Sequence, residues 1–284
     1  MHICTSAGLG CIRDYVLVRA ANKHRVKSVL HLHFGRFPDL AVKRNLEWHL
    51  LSIVLRRCDV IVPMNKPTEN ALLNTGYLNV KYLPNPLSDV VSQQITELEG
   101  TIERNPRLIL FVGHVYKTKG VVELVSGCCG IDSIKLRIVG KYSQEIYNEL
   151  SLIAESSKNR NWLEFVGEIL HKDVLKEFLR AGLFVFSSYT EGFPNVILEA
   201  MASGCSIIGS NVGAIPEMLD IDNNPCEICI PAKSEKAVKD AIEAILNNNT
   251  MNQDFSKTAK IRVNSKYSMA VVWKQLVDIW EGKE

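Results

Sequence analysis

The chain holds no apolar run near the roughly 18 residues that a membrane-spanning helix needs, so any membrane contact it makes is expected to be peripheral. Neither charge dominates. The 33 Lys and Arg face 31 Asp and Glu, and a net charge of +2 gives no nucleic-acid signal. No G-x-G-x-x-G follows a strand pattern, which disfavours a dehydrogenase-type dinucleotide site. The opening residues lack a basic stretch ahead of a long apolar core and do not read as a signal peptide. Internal repeats are missing too, and the Asn-rich stretch at 247–249 is the one compositional bias, read as a loop. What is present is an ordinary globular balance over 284 residues, enough for one large domain or two modest ones.

The eight cysteines (Cys4, Cys11, Cys58, Cys128, Cys129, Cys205, Cys226 and Cys229) are scattered, several in apolar strand or helix contexts. Cys226 and Cys229 form a lone C-x-x-C with no second pair or neighbouring His to complete a zinc set. Reduced, structural thiols in a cytoplasmic protein are the expectation.

Along residues 1–90 the pattern suggests a helix over 13–23, a buried strand over 26–33, and a long amphipathic helix over about 43–57 with Leu46, Leu50, Ile53 and Val54 at helical spacing. Then come the strand CDVIVP, a helix near 68–75 and a short strand VKYLPNP. That makes about three strand–helix units, where an open Rossmann-like sheet usually has about five or six strands. His31 and His33 share one strand face, with His33 nearer the carboxyl end, where such sheets bind ligands. No carboxylate or cysteine lies at a sensible ligand spacing, so no metal is expected there.

Residues 88–107 are polar and read as a linker. A parallel strand–helix series follows: strands LILFVG, KLRIVG and WLEFVG, with helices from Val121, over 145–155, and through DVLKEFLRAG to Gly182. After the first strand, the loop HVYKTKG after Gly113 has a shape suited to phosphate oxygens. The organising stretch is 183–219: a strand, a loop carrying Glu191, a helix opening near Pro194 and stopping at Gly204, and a strand over 205–210. The amides of Asn195, Val196 and Ile197 make that helix start an anion site, and Glu199 lies about one turn inside it. ICIP reads as a last strand, followed by a helix over 235–246 and a tail helix striped by Trp273, Leu276, Val277 and Trp280.

The segment EGFPNVILEAMASG, followed by GAIPE, resembles the donor-binding signature of retaining GT-B glycosyltransferases of the family 4 group. Glu191 and Glu199, with seven residues between them, match the family's glutamate pair. The resemblance implies an α/β fold of two Rossmann-like parallel-sheet domains, the first incomplete. Residues 1–90 would form a partial acceptor-side domain, 91–265 the donor-nucleotide domain, and 266–284 a helix returning to the first domain. It further implies that roughly 80 residues of a usual opening domain precede the stretch matched here. By the same resemblance Glu191 contacts the transferred sugar and Glu199 the ribose hydroxyls, while Gly192, Phe193, Asn195, Val196 and Ile197 hold the diphosphate. His33 matches a histidine facing the sugar-phosphate. Gly113 and Lys119 match the family's G-R-x-x-x-x-K-G loop, but His114 stands at the Arg position, with Lys117 a replacement charge within the loop.

The implied activity is transfer of a sugar from a nucleotide sugar to an acceptor hydroxyl with retention, without metal or other cofactor. The catalytic set is Glu191, His33 and Lys119. The acceptor would be a glycan or lipid-linked unit of bacterial surface polysaccharide, O-antigen or lipopolysaccharide, handled in the cytoplasm or at the inner membrane face. Two rivals remain: a nucleotide-sugar-binding remnant without turnover, and a sugar-nucleotide epimerase of the same shape.

Overall fold

The computed structural model describes residues 1–157, 161–220 and 227–283, in two compact units. The first holds Met1–Pro86, Glu191–Pro194 and Met269–Glu284; the second holds Leu87–Thr190 and Asn195–Ser268.

The first unit opens with β1 (His2–Thr5), α1 (Gly10–Lys23), β2 (Val29–Leu32), α2 (Phe37–Lys43), α3 (Leu46–Leu55), β3 (Val60–Pro63) and α4 (Lys66–Asn74). Its strands form a parallel three-stranded sheet in the order β1-β2-β3. Side chains alternate across it. Ile3, Leu30, Leu32 and Ile61 bury one face against Val18 of α1 and Leu51, Val54 and Leu55 of α3. Each such aliphatic side chain contributes about 1.5–3 kcal/mol by leaving water.

The second unit runs α5 (Asp89–Leu98), β4 (Asn105–Val112), a single 3-10 turn (Lys117–Lys119), α6 (Val121–Cys128), β5 (Lys135–Val139), α7 (Gln144–Glu155), β6 (Leu163–Gly167), α8 (His171–Arg180), β7 (Ala181–Phe186), α9 (Asn195–Ala202), β8 (Ser206–Ser210), α10 (Ile215–Leu219), β9 (Ile228–Ile230), α11 (Glu235–Asn247) and α12 (Asn249–Lys266). Its six parallel strands lie in the order β6-β5-β4-β7-β8-β9. Strands buried on both faces need apolar residues at every position, and AGLFVF of β7 is buried throughout. The chain builds outward from β4 through β5 to β6, then crosses back to place β7 beside β4, in register at Ile109–Leu183 and Leu110–Phe184. The connections diverge at β4 and β7. Such a switch point is where sheets of this kind take their ligands, at the carboxyl ends of the two strands. The last helix, α13 (Met269–Glu281), clusters with the first unit, where Val272 and Ile279 pack on Val29 and Val62 of the second sheet face.

Several expectations are corrected. The opening strand β1 is an element the sequence pattern did not reveal, whereas VKYLPNP runs along β3 without becoming a named strand, through a parallel bridge from Val80 to Ile61 and a Leu83 N–H donating to the Pro63 carbonyl at 3.0 Å. The helix expected over 43–57 is the shorter α3, preceded by an unforeseen α2 that ends at Lys43: Arg44 turns left-handed at φ 46°, and Asn45 caps α3 by accepting from the Trp48 N–H. The restart rotates the apolar face, leaving Leu46 and Ile53 exposed and burying Trp48, Leu51, Val54 and Leu55. The supposed linker contains α5, anchored by buried Ile95, and β4 starts already at Asn105. Gly182 lies inside β7, not at a helix end: its pro-chiral face meets the Pro106 backbone at 2.5 Å from a would-be Cβ, so only glycine fits. In α13 the buried residues are Val272 and Ile279, while Trp273 and Trp280 meet edge to face on an exposed flank. The Asn-rich loop is an α11–α12 junction.

Candidate functional site

In the second unit the lysine turn is fixed by backbone contacts that only glycine permits. Gly120 closes it at φ 70°, and a Cβ there would stand 2.0 Å from the Ser187 carbonyl oxygen. The Ser187 hydroxyl donates to the Gly120 carbonyl at 2.7 Å, and the Tyr189 N–H donates to the Thr118 carbonyl at 2.9 Å. The loop after β4 is thereby stitched to the chain leaving β7. Lys119 sits at this seam, its ammonium 5.5 Å from the Phe186 ring centroid. Gly113, extended beyond the range of other residues at φ 147°, donates to the Val139 carbonyl, and Gly140 closes on its carbonyl from the neighbouring strand end.

His114 and Lys117 go elsewhere. His114 is exposed and its ring lies parallel to that of Tyr116 at 5.7 Å. Lys117 pairs with Glu149 of α7 at 2.8 Å, which raises its pKa. Lys119 is therefore the loop's cation nearest the strand end after β7.

The helix expected near Pro194 begins at Asn195. First-turn amides of a helix have no intrahelical acceptor, and the aligned peptide dipoles add positive potential there. Val196 and Ile197 lie in that turn of α9 with Asn195. Glu199 follows, its side chain 12% exposed, with Oε1 3.0 Å from Nε2 of His171 at the start of α8. Burial pushes the Glu199 carboxyl above its ordinary value, and the His171 hydrogen bond opposes that rise. His171 was not foreseen; a histidine opening an amphipathic helix gives no signal until the fold carries α8 to α9.

In the first unit His33 continues β2, donating its N–H to the Thr5 carbonyl at 2.8 Å, with its ring exposed. Just beyond it, a Cβ on Gly35 would fall 1.9 Å from the Glu191 carbonyl oxygen, so that backbone meets the 191–194 segment directly. Asn65 holds the same segment from the other side. Its Nδ2 donates to the Gly192 carbonyl at 3.1 Å while its Oδ1 caps α4 by accepting from the Thr68 N–H. Phe193 is buried. Asn65 was also missed, although an Asn ahead of Lys66-Pro67 is a legible cap. The largest cavity described in this unit, about 610 Å³ between Arg44, Trp48, Arg56 and Tyr77, opens near Asn79 beside the amino end of β3, the wrong end of the sheet for a ligand in this fold.

In the fold His2 and Cys4 both reach His31, neighbours that ligand spacing in the sequence did not offer. His31 is 7% exposed, and burial first, then His33 and His2, push its pKa down to about 3. Cys58, Cys128 and Cys205 are buried thiols. Cys226 of the C-x-x-C lies outside the described residues.

A doubly wound parallel sheet with a lysine turn and a helix start at the ends of its two central strands defines an open α/β architecture. The comparisons name the kind: residues 94–262 match the family described as glycosyl transferases group 1, and the chain belongs to that family. It is 25% identical over 226 residues to the capsular polysaccharide biosynthesis glycosyltransferase CapM of Staphylococcus aureus, covering 78% of this chain and 58% of CapM. It is 26% identical over 188 residues to the alpha-maltose-1-phosphate synthase of Mycobacterium tuberculosis, covering 63% and 49%. The chain thus spans about half to three fifths of these curated relatives. Among solved structures it is similar to HepE of Anabaena in complex with UDP, with a TM-score of 0.81 at 16% identity, over 99% of this chain and 78% of HepE. Sucrose-phosphate synthase of Thermosynechococcus elongatus gives 0.79 at 19% identity, over 99% and 72%. At such identities the likeness establishes the fold, α/β of the GT-B kind with a three-stranded and a six-stranded parallel sheet. Among the described residues no helix is long and apolar enough to cross a membrane.

Proposed function

We propose that the chain transfers a hexose from a nucleoside diphosphate sugar to an acceptor hydroxyl, with the anomeric configuration retained. The observation that carries this reading is the seam at the switch point, where the glycine-locked turn of Lys119 joins the strand whose loop leads into α9. The chemical difficulty is to let a diphosphate depart while positive charge builds on the anomeric carbon. Lys119 and the amides opening α9 stabilise the negative charge gathering on the leaving oxygen, and being fixed beforehand they need little reorganisation. Glu199 accepts hydrogen bonds from the ribose hydroxyls. Glu191 orients the hydroxyls of the sugar, its backbone set by Gly35 and its neighbour Gly192 held by Asn65. His33 faces the sugar-phosphate. As the carbon–oxygen bond to the diphosphate breaks, the acceptor oxygen bonds to the same face of the sugar and its proton passes to the departing phosphate oxygen.

HepE has been solved with UDP and with UDP-glucose, which makes uridine nucleotides the first donors to try. The likeness to CapM supports a surface-polysaccharide acceptor, met in the cytoplasm or by peripheral contact at the inner membrane face. A second reading, donor binding without turnover, draws on the three-stranded sheet of the first unit. Release of UDP from UDP-glucose, with calorimetry of UDP in parallel, separates the two. Transfer or hydrolysis that fails in Glu191→Gln and Lys119→Ala supports the transferase; binding with no release in any acceptor mixture supports the second reading; no binding overturns both.

A further inference from the structure

The sheet face of the first unit that bears α13 carries a group of side chains that the transferase reading does not use. His2 and Cys4 project from β1 and His31 from β2, where Cys4 and His31 are register partners. One potential ligand atom from each lies within 4.8 Å of the others. The His2 and His31 rings are 5.4 Å apart, and His33 lies against His31 at 4.2 Å. The residues are graded in depth, with His31 buried, His2 half-buried and Cys4 exposed, so an ion can reach the cluster from solvent.

A second observation is independent of this clustering. Nε2 of His31 is buried with no hydrogen-bond partner among the described residues. An unmade hydrogen bond at a buried polar atom costs about 1–3 kcal/mol, so native structures keep few of them and an ion is one of the standard remedies. Neutral imidazole nitrogens want a proton donor or a Lewis acid, and the potential partners here are two more metal-ligating groups.

We propose that His2, Cys4 and His31 form a site for a borderline-soft transition cation of the zinc class. A thiolate with two imidazoles suits zinc, cobalt or cuprous copper and not magnesium or calcium, which prefer oxygen. Three protein ligands leave one tetrahedral position open to water, so the site is an exchangeable one. Binding converts the Cys4 thiol to a thiolate, and its proton goes to solvent. Trp280 supplies a built-in reporter. Its indole N–H donates to Nδ1 of His2 at 3.0 Å, a bond that is lost when the metal takes Nδ1, or when it takes Nε2 and leaves the proton on Nδ1. The proposal does not depend on the transferase reading.

Cobalt(II) titrated into the tag-free full chain is the test, with zinc and magnesium as competitors. The expected result is one equivalent of cobalt with a thiolate-to-cobalt charge-transfer absorption, displaced by zinc and untouched by magnesium. Tryptophan fluorescence should change alongside it, and that change should vanish in Trp280→Phe while the absorption stays. Cys4→Ser removes an exposed side chain without disturbing the core and should abolish the absorption. His2→Ala and His31→Gln should weaken binding by more than about tenfold, beyond what loss of a supporting group does. A folded wild-type chain with no charge-transfer band, or one whose band survives in Cys4→Ser, overturns the assignment.

Discussion

Nε2 of His171 stands 3.0 Å from Oε1 of Glu199, joining the first turn of α8 to the second turn of α9. The pairing makes the acid of the proposed ribose site pH-sensitive. Burial raises the Glu199 carboxyl and His171 lowers it, so the raised direction means the desolvation effect wins. The carboxylate is needed as an acceptor, so UDP affinity should weaken as pH falls from neutrality toward mildly acid values, above the usual carboxylate range. His171→Ala should move that midpoint to higher pH, and Glu199→Gln should flatten the profile. Calorimetry of UDP binding across pH reads all three.

Lys119 and Lys117 should separate sharply. Removing one preorganised cation at a departing diphosphate costs about 10²–10³-fold in turnover, the expectation for Lys119→Ala. Lys117 is engaged on the surface by Glu149, and losing an exposed ion pair should leave turnover within about twofold of wild type. A steady-state UDP-release assay on both variants checks the contrast.

Gly120→Ala tests the seam itself. The new methyl would sit 2.0 Å from the Ser187 carbonyl at a backbone angle of φ 70°, so either the turn or the end of β7 has to move. Stability should fall by more than about 1 kcal/mol, since alanine suffers at positive φ, and UDP affinity should fall with it. Urea unfolding gives the first quantity and calorimetry the second.

Glu227 is buried, its Oε2 accepting from the Ile207 N–H at 2.6 Å and its Oε1 without a partner among the described residues. Desolvation raises its pKa well above the ordinary carboxylate value. A carboxyl raised in the folded state destabilises increasingly as pH climbs from its unfolded value to its folded one, and constantly above that. Glu227→Gln should therefore melt higher than wild type at neutral and alkaline pH, with the difference closing as pH falls toward the unfolded carboxylate value. Thermal melts over a pH series measure it.

Much of this architecture is legible because a doubly covered parallel sheet demands continuous apolar strands. Runs such as LILFVG and LFVF fit no surface element of the same length. The loop holding Lys119 and the helix after Pro194 stand in the strand–loop–helix pattern, whereas the roles expected of Glu191 and Lys119 came from the family resemblance. What failed to show was decided by backbone geometry or by distant contacts. Periodicity runs straight through Arg44, and only the left-handed turn there resets the face of α3. The polar α5 buries Ile95 alone, too little to announce a helix. His171, Asn65 and the trio of His2, Cys4 and His31 acquire partners through register and crossover, which no local window contains.

The central claim is that a diphosphate docks where α9 begins, against Lys119. A crystal structure of the chain with UDP-glucose tests it most directly. Phosphate oxygens are expected within about 3.2 Å of the first-turn amides of α9 and of the Lys119 ammonium. A diphosphate bound away from α9, or a helix start covered by protein in the liganded chain, would contradict it.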